Sequence, residues 1–112
     1  MHELALMEGV VRALERTAEE KGLKRITKVK LVVGKFTAAL PDCLRFCFSL
    51  LTEDSLLEGA ELEIEETEVI GKCRVCGGEF EVAQSFRCPT CRSQQVDIVR
   101  GRELYVDYIE GE

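Results

Sequence analysis

The sequence has almost no histidine, tryptophan or proline, and it carries an excess of acidic side chains. Its 112 residues include no tryptophan, one histidine and two prolines, with 21 acids against 15 bases and a net charge of −6. The acidic balance weighs against nucleic-acid binding, which needs clustered Lys and Arg. No apolar run is long enough to cross a bilayer, and the first residues lack the basic and apolar regions of a secretory signal. We therefore expect a cytoplasmic protein without a membrane or nucleic-acid partner.

Cysteine is the residue type that the sequence has in unusual number. Six cysteines occur in a chain whose length suits one domain with a small appendage. Because a reducing cytoplasm disfavours disulfides, we expect some of these thiols to bind metal.

The spacing of the apolar residues predicts a mixture of helices and strands. It predicts a first helix from Leu4 to about Lys21, with Gly22 as its cap. The remaining predicted elements are a strand over 26–36, a buried helix beginning at Pro41, a strand from Ala60 to about Ile70, and a strand or hairpin over 96–109 with a bulge or turn at Gly101. The predicted fold class is α+β, with two helices packed on a small mixed β-sheet.

Four cysteines form two C-x-x-C knuckles in one short segment: Cys73, Cys76, Cys88 and Cys91. Each knuckle directs two sulfurs toward one ion, and four thiolates suit the tetrahedral coordination of Zn(II). The fold class therefore includes an inserted four-cysteine zinc-knuckle subdomain over 71–94, while residues 1–70 and 95–112 make up the α+β domain. Disulfides or an iron–sulfur centre are the alternatives, and the predicted compartment and the compact spacing disfavour them.

This zinc site is predicted to be structural. Four thiolates leave no coordination position for water or substrate, so the metal would hold together an insertion too small for a core of its own. The bases of the insertion are offset by its acids and by the charge of the metal–thiolate group, so its attraction for phosphate is weak. A zinc-knuckle adaptor that recognises protein or nucleic acid, with no transported metal, is the alternative function.

The other two cysteines, Cys43 and Cys47, lie four residues apart on one face of the second predicted helix. Such a pair can hold a soft metal, but the surrounding leucines and phenylalanines favour thiols that pack as small apolar side chains. A third functional class, an oxidoreductase that uses this pair, would need a reactive thiolate, which apolar surroundings disfavour.

The single histidine, His2, lies next to the start of the sequence. A lone histidine is most often an exposed polar residue. Here, however, the amine of Met1, the amide nitrogen of His2 and its imidazole Nδ1 can close adjacent chelate rings around one ion. A planar, nitrogen-rich ligand set of this kind suits Ni(II) or Cu(II).

These features together resemble the HypA family, the nickel metallochaperones of [NiFe]-hydrogenase maturation. The resemblance rests on Met1-His2-Glu3 ahead of an amphipathic helix and on the two knuckles. It extends over Val32-Val-Gly34-Lys-Phe36-Thr, Pro41-Asp-Cys-Leu44-Arg-Phe46-Cys-Phe48 and Glu58-Gly59-Ala60-Glu-Leu62, and so covers essentially the whole chain. Two residues depart from the expected pattern: Arg92 replaces a small residue such as glycine after the last cysteine, and Thr37 replaces serine.

The resemblance implies a carrier protein and not an enzyme, with 1–70 and 95–112 as its nickel-binding domain. His2 would anchor Ni(II), together with the Met1 amine and the backbone nitrogens of His2 and Glu3, and the Glu3 carboxylate would be an auxiliary ligand. The four knuckle cysteines would hold structural Zn(II). Family members deliver nickel, together with the maturation GTPase HypB, to the hydrogenase large subunit, and some also serve urease. The sequence leaves open a homodimer, the nickel affinity and the final recipient enzyme.

A row of acids without a base runs from Glu58 to Glu68. The simpler interpretation is a solvated sheet face that discourages pairing at a sheet edge. The other interpretation is electrostatic attraction of a cation or of a basic partner surface.

Overall fold

The computed structural model describes residues 2–83 and 85–112. Its helices are α1 (His2–Lys21) and α2 (Pro41–Leu51), with a 3-10 turn at Lys35–Thr37. Its strands are β1 (Ile26–Gly34), β2 (Glu61–Thr67), β3 (Ile70–Cys73), β4 (Glu79–Glu81), β5 (Val96–Arg100) and β6 (Leu104–Gly111). They form two three-stranded sheets, in the orders β2-β1-β6 and β4-β3-β5. The predicted α+β class, with two helices, small sheets and a cluster of four cysteines, is confirmed.

The chain divides into two compact units. The first runs to Val32 and also contains Ala39–Glu65 and Tyr105–Glu112, and the second contains Val33–Ala38 and Glu66–Leu104. The functional boundaries drawn from the sequence, 1–70 with 95–112 and 71–94, concern metal binding and stay a prediction. Within the described residues, neither helix is long and apolar enough to cross a membrane.

Apolar side chains of α1, α2 and β1 form the core of the first unit. The buried ones are Met7, Val11, Leu14 and Ala18 on α1, Leu44, Cys47 and Phe48 on α2, and Ile26, Val29 and Leu31 on β1. Helix α1 ends at the predicted cap. Gly22 has a φ of +67°, its N–H donates to the Glu19 carbonyl at 3.3 Å, and the Leu23 N–H donates to the Ala18 carbonyl at 2.8 Å. This pair of bonds is the Schellman motif, which satisfies carbonyls left free at a helix end.

The first sheet is mixed. Arg25 and Glu112 exchange backbone hydrogen bonds at 3.1 and 2.9 Å, and the Thr27 hydroxyl donates to the Glu110 carbonyl at 3.2 Å. As the residue number increases along β1, the residue number of the hydrogen-bonded partner decreases, so β6 runs antiparallel to β1. Strand β2 pairs with the other edge of β1 in the parallel direction, and α2 lies in the crossover that a parallel pair requires.

The acidic row of β2 faces two lysines of β1. Lys28 Nζ lies 3.2 Å from a Glu63 carboxylate oxygen, and Lys30 Nζ lies 2.8 Å from Glu65 and 3.8 Å from Glu63. The pKa of Lys28 is raised chiefly by its hydrogen bond to Glu63, and that of Lys30 chiefly by its bond to Glu65. Since the partner advances along β2 as the lysine advances along β1, the two strands are parallel. Part of the acidic row is therefore neutralised within the sheet.

Strand β1 is shorter than predicted. The sequence indicated a strand to Phe36, but β1 ends at Gly34 and a 3-10 turn follows. The Gly34 N–H donates to the Glu103 carbonyl at 2.7 Å and the Phe36 N–H to the Gly101 carbonyl at 2.8 Å. A Cβ on Gly34 would overlap the Gly101 carbonyl oxygen. Two backbone segments thus meet at a residue without a side chain, and regular strand geometry stops there.

The later strands lie where the sequence predicted them, but the sequence did not predict how they pair. The stretch up to about Ile70 is divided between β2 in one sheet and β3 in the other. Strands β5 and β6 also belong to different sheets, so the hairpin alternative for 96–109 is wrong, although Gly101 does lie at the turn, with a φ of +111°. Alternation along a strand shows which residues share a face, but it does not identify the neighbouring strand.

Candidate metal centre

The four knuckle thiols converge in the second unit. The Sγ atoms of Cys73, Cys76, Cys88 and Cys91 all lie within 4.8 Å of one another. The Cys73–Cys91 sulfur distance is 3.5 Å and the Cys76–Cys88 distance is 3.6 Å. A tetrahedral ion with metal–sulfur bonds of about 2.3 Å needs sulfurs about 3.8 Å apart. Among residues 2–83 and 85–112, this is the one group of three or more His, Cys, Asp or Glu side chains arranged to hold a metal.

The two knuckles have the same backbone geometry. In the first, the Gly77 N–H donates to the Cys73 carbonyl at 2.9 Å, and in the second the Arg92 N–H donates to the Cys88 carbonyl at 2.9 Å. Both donors have a left-handed backbone, with φ of +78° at Gly77 and +64° at Arg92. The residue noted in the sequence as a departure from the family pattern therefore occupies a position that favours glycine.

Backbone N–H groups favour the thiolate form of the first cysteine of each knuckle. The N–H of Cys91, and more weakly that of Thr90, lowers the pKa of the Cys88 thiol to about 6, against the opposing effect of burial. The N–H of Cys76 lowers the pKa of Cys73 in the same way, from a donor–sulfur distance of 3.4 Å. Because these N–H groups point at the sulfur, the backbone of the turn favours the thiolate form, which is the form that binds a metal.

The pKa of the second cysteine of each knuckle is shifted in the opposite direction. The Ser93 N–H lowers the pKa of Cys91, but the Cys73 thiol, burial and the other thiols outweigh it and raise the value to about 11. At Cys76 the neighbouring thiols likewise outweigh the Gly78 N–H and raise the pKa. A metal that binds all four sulfurs must displace the protons that remain on these two cysteines.

A three-stranded sheet supports the cluster. Strand β3, which ends at Cys73, pairs antiparallel with both β4 and β5. The side chains of Phe80, Val82 and Val96 pack around Gly71, where a Cβ would lie 2.7 Å from Val96. Phe86 is about half exposed and contacts Phe36 edge-on, with ring centroids 6.1 Å apart.

The amino-terminal residues lie in the first unit. His2 is the exposed first residue of α1, and Met1 lies outside the described residues. One Glu3 carboxylate oxygen accepts the backbone N–H of Leu40 at 3.1 Å, and this bond is the main reason why the pKa of Glu3 is lowered. No sequence pattern indicates this contact, because its partners are 37 positions apart and the donor is a backbone group. The ligand roles drawn from the resemblance for Met1, His2 and Glu3 stay a prediction.

Cys43 and Cys47 lie on the same face of α2. Cys47 is buried, as predicted for a thiol that packs as a small apolar side chain, but Cys43 is partly exposed, so the prediction is confirmed for only one of the two. Both line a cleft of about 390 Å³ together with Leu4, Asp42, Phe46 and Leu50.

Comparison with known proteins agrees with these features. Residues 1–111 match the family model for HypA, described as a hydrogenase/urease nickel incorporation metallochaperone. The hydrogenase maturation factor HypA of Moorella thermoacetica is 47% identical over the full length of both chains. That of Crocosphaera subtropica is 42% identical over all of this chain and 96% of its own.

A solved structure extends the agreement to the fold. The solution structure of the Ni metallochaperone HypA from Helicobacter pylori superposes with a TM-score of 0.72 and 25% identity, covering 99% of this chain and 97% of its own. The family match spans nearly the whole chain, and the fold and the four-cysteine cluster agree with it. The chain therefore belongs to the HypA family of nickel metallochaperones for hydrogenase maturation.

Proposed function

We propose that the chain carries Ni(II) at its amino terminus and delivers it during hydrogenase maturation. The observation that carries this proposal is the exposed His2 side chain at the head of α1. The first N–H groups of a helix have no intrahelical acceptor, so an amide nitrogen there can release its proton to solvent and bind a metal without the loss of a helical bond. With the Met1 amine and the imidazole, the site becomes a planar, nitrogen-rich set that suits Ni(II).

A site at a chain end suits a carrier. Its ligands belong to the first residues of one helix, so few other contacts need to break when a recipient removes the ion. The Glu3 carboxylate, which we include as an auxiliary ligand, accepts the Leu40 N–H with one oxygen. The second carboxylate oxygen of Glu3 would bind the ion, or the carboxylate would leave the Leu40 N–H and bind the ion instead. The resemblance implies that the chain delivers nickel together with the GTPase HypB, to the hydrogenase large subunit and, in some members, to urease.

For the four-cysteine cluster we propose structural Zn(II). The support is the sulfur spacing, which matches a tetrahedral ion, and the four thiolates, which close the coordination sphere to water and substrate. The ion would hold together a unit built around short strands, and it would take no part in catalysis. This division gives the protein a resident metal and a transported one, and the role is that of a carrier and not of an enzyme.

Nickel titration of the untagged, zinc-loaded protein tests the proposal. We expect His2→Ala, and a variant with one extra residue before Met1, to lose the tight nickel site while each retains its zinc. A control variant is Asp42→Asn, which removes the charge of an acidic side chain in the first turn of α2 and leaves the terminal ligands intact. Wild-type affinity in the extended variant would rule out the terminal chelate, and the zinc-knuckle adaptor would then become the better account.

A further inference from the structure

Helix α2 exposes an apolar stripe that the fold does not need. Phe46 and Leu50 are 64% and 49% exposed, although the same helix buries Leu44 and Phe48, and Leu40, just before the helix, is 59% exposed. Phe46 and Leu50 line the 390 Å³ cleft, with Leu4 of α1 as a further apolar wall. Contiguous exposed apolar surface on a small acidic domain is typical of an interaction site.

The charged side chain that lines this cleft is acidic. Asp42 lines the cleft itself, and along α1 a second groove is lined by Glu8, Arg12 and Glu15. Arg12 lies 4.0 Å from Glu8, so its charge is partly balanced there. Arg45, the base of α2, donates to the Leu62 carbonyl. Acids outnumber bases in the sequence of the first unit as a whole.

We infer that the cleft docks an amphipathic helical segment of a partner protein whose apolar ridge is flanked by lysines or arginines. The ridge would fill the space between Leu4, Phe46 and Leu50, and the flanking bases would meet Asp42 and Glu8, which lies one turn from Leu4 on α1. A helix in a groove uses anchors at i, i+3, i+4 and i+7, and the α2 residues that line the cleft, from Asp42 to Leu50, cover about two turns of helix. A second copy of this chain is a poorer occupant, because it would bring two acidic rims together. The inference goes beyond nickel binding and does not depend on it.

A pair of synthetic peptides tests the inference on the full, zinc-loaded chain. Each is a fluorescent helix of about 16 residues with leucines at the four anchor spacings, flanked by lysines in one peptide and by glutamates in the other. We expect the lysine peptide to bind at least tenfold more tightly, with an affinity that falls as salt rises. Phe46→Ser should weaken it about tenfold or more, because central aromatic anchors dominate such interfaces. Val99→Ser, a matched change of a half-exposed apolar residue in the second unit, should leave binding unchanged.

Several outcomes would overturn the inference. Equal binding of the two peptides would show that charge does not select the partner. Undiminished binding of the lysine peptide to Phe46→Ser would show that the cleft is not the docking site. A dimer that sedimentation detects in the wild type and not in Phe46→Ser would assign the stripe to a second copy. Stronger binding to anionic lipid vesicles than to the lysine peptide would assign it to a membrane surface. Circular dichroism of each variant confirms that the helices remain folded.

Discussion

The left-handed backbone of Arg92 offers a quantitative test of the knuckle geometry. Arg92 and Gly77 make the same turn with φ of +64° and +78°. A residue with a Cβ loses about 1–2 kcal/mol in this conformation, whereas glycine does not. Glycine also makes the unfolded chain more flexible, which offsets about 0.4–1 kcal/mol of the gain. Arg92→Gly should therefore stabilise the metal-bound knuckle by about 1 kcal/mol.

Zinc competition against a chromogenic chelator measures this effect, because folding of a small metal site and metal binding are coupled. A gain of about 1 kcal/mol corresponds to about fivefold tighter apparent zinc binding. Arg92→Ala is the matched control: it removes the side chain but keeps the Cβ, so it should bind zinc as the wild type does. Gly77→Ala should bind about fivefold more weakly from strain alone, since no atom lies within 4 Å of its new Cβ. Equal gains in Arg92→Gly and Arg92→Ala would refute the backbone argument.

The contacts described above lead to three further predictions. Cys76→Ser should lose the metal and unfold the second unit, while circular dichroism still reports helices α1 and α2 of the first; an intact second unit without metal would contradict the structural role. Gly34→Ala should destabilise the protein by about 2 kcal/mol or more in urea unfolding, because its Cβ meets the Gly101 carbonyl, whereas Gly9→Ala, which meets no atom, should stabilise α1 by up to about 1 kcal/mol. The Glu103 carboxylate accepts the Gly101 N–H and the Thr67 hydroxyl, which lowers its pKa. Its stabilising effect is therefore present above the usual carboxyl range of about 4 and is lost as pH falls below it, so thermal unfolding of Glu103→Gln should lack that part of the acid dependence.

Local patterns in the sequence predicted the parts of the fold that are themselves local. Helical spacing identified α1, and Gly22 marked its end, because both depend on neighbours within a turn or two. The C-x-x-C spacing identified the four-cysteine cluster, since each knuckle is a closed turn that fixes two ligands. The limits of these elements differ from the predictions by only a few residues.

The features that the sequence could not predict involve distant partners. Strands β5 and β6 join different sheets, and no alternation of side chains specifies that choice. The Glu3–Leu40 contact joins a side chain to a backbone N–H, a donor that every residue except proline carries. The early end of β1 depends on the approach of Gly101 to Gly34, and the sequence shows only that both are glycines.

Native mass spectrometry with both metals tests the central claim, that one chain holds two metals in two separate ligand sets. The wild type, His2→Ala and Cys76→Ser would each be supplied with one equivalent of Zn(II) and of Ni(II). We expect one zinc and one nickel on the wild type, zinc alone on His2→Ala, and loss of zinc from Cys76→Ser. Nickel that displaces zinc from the cysteines, or that binds His2→Ala as it binds the wild type, would contradict the claim.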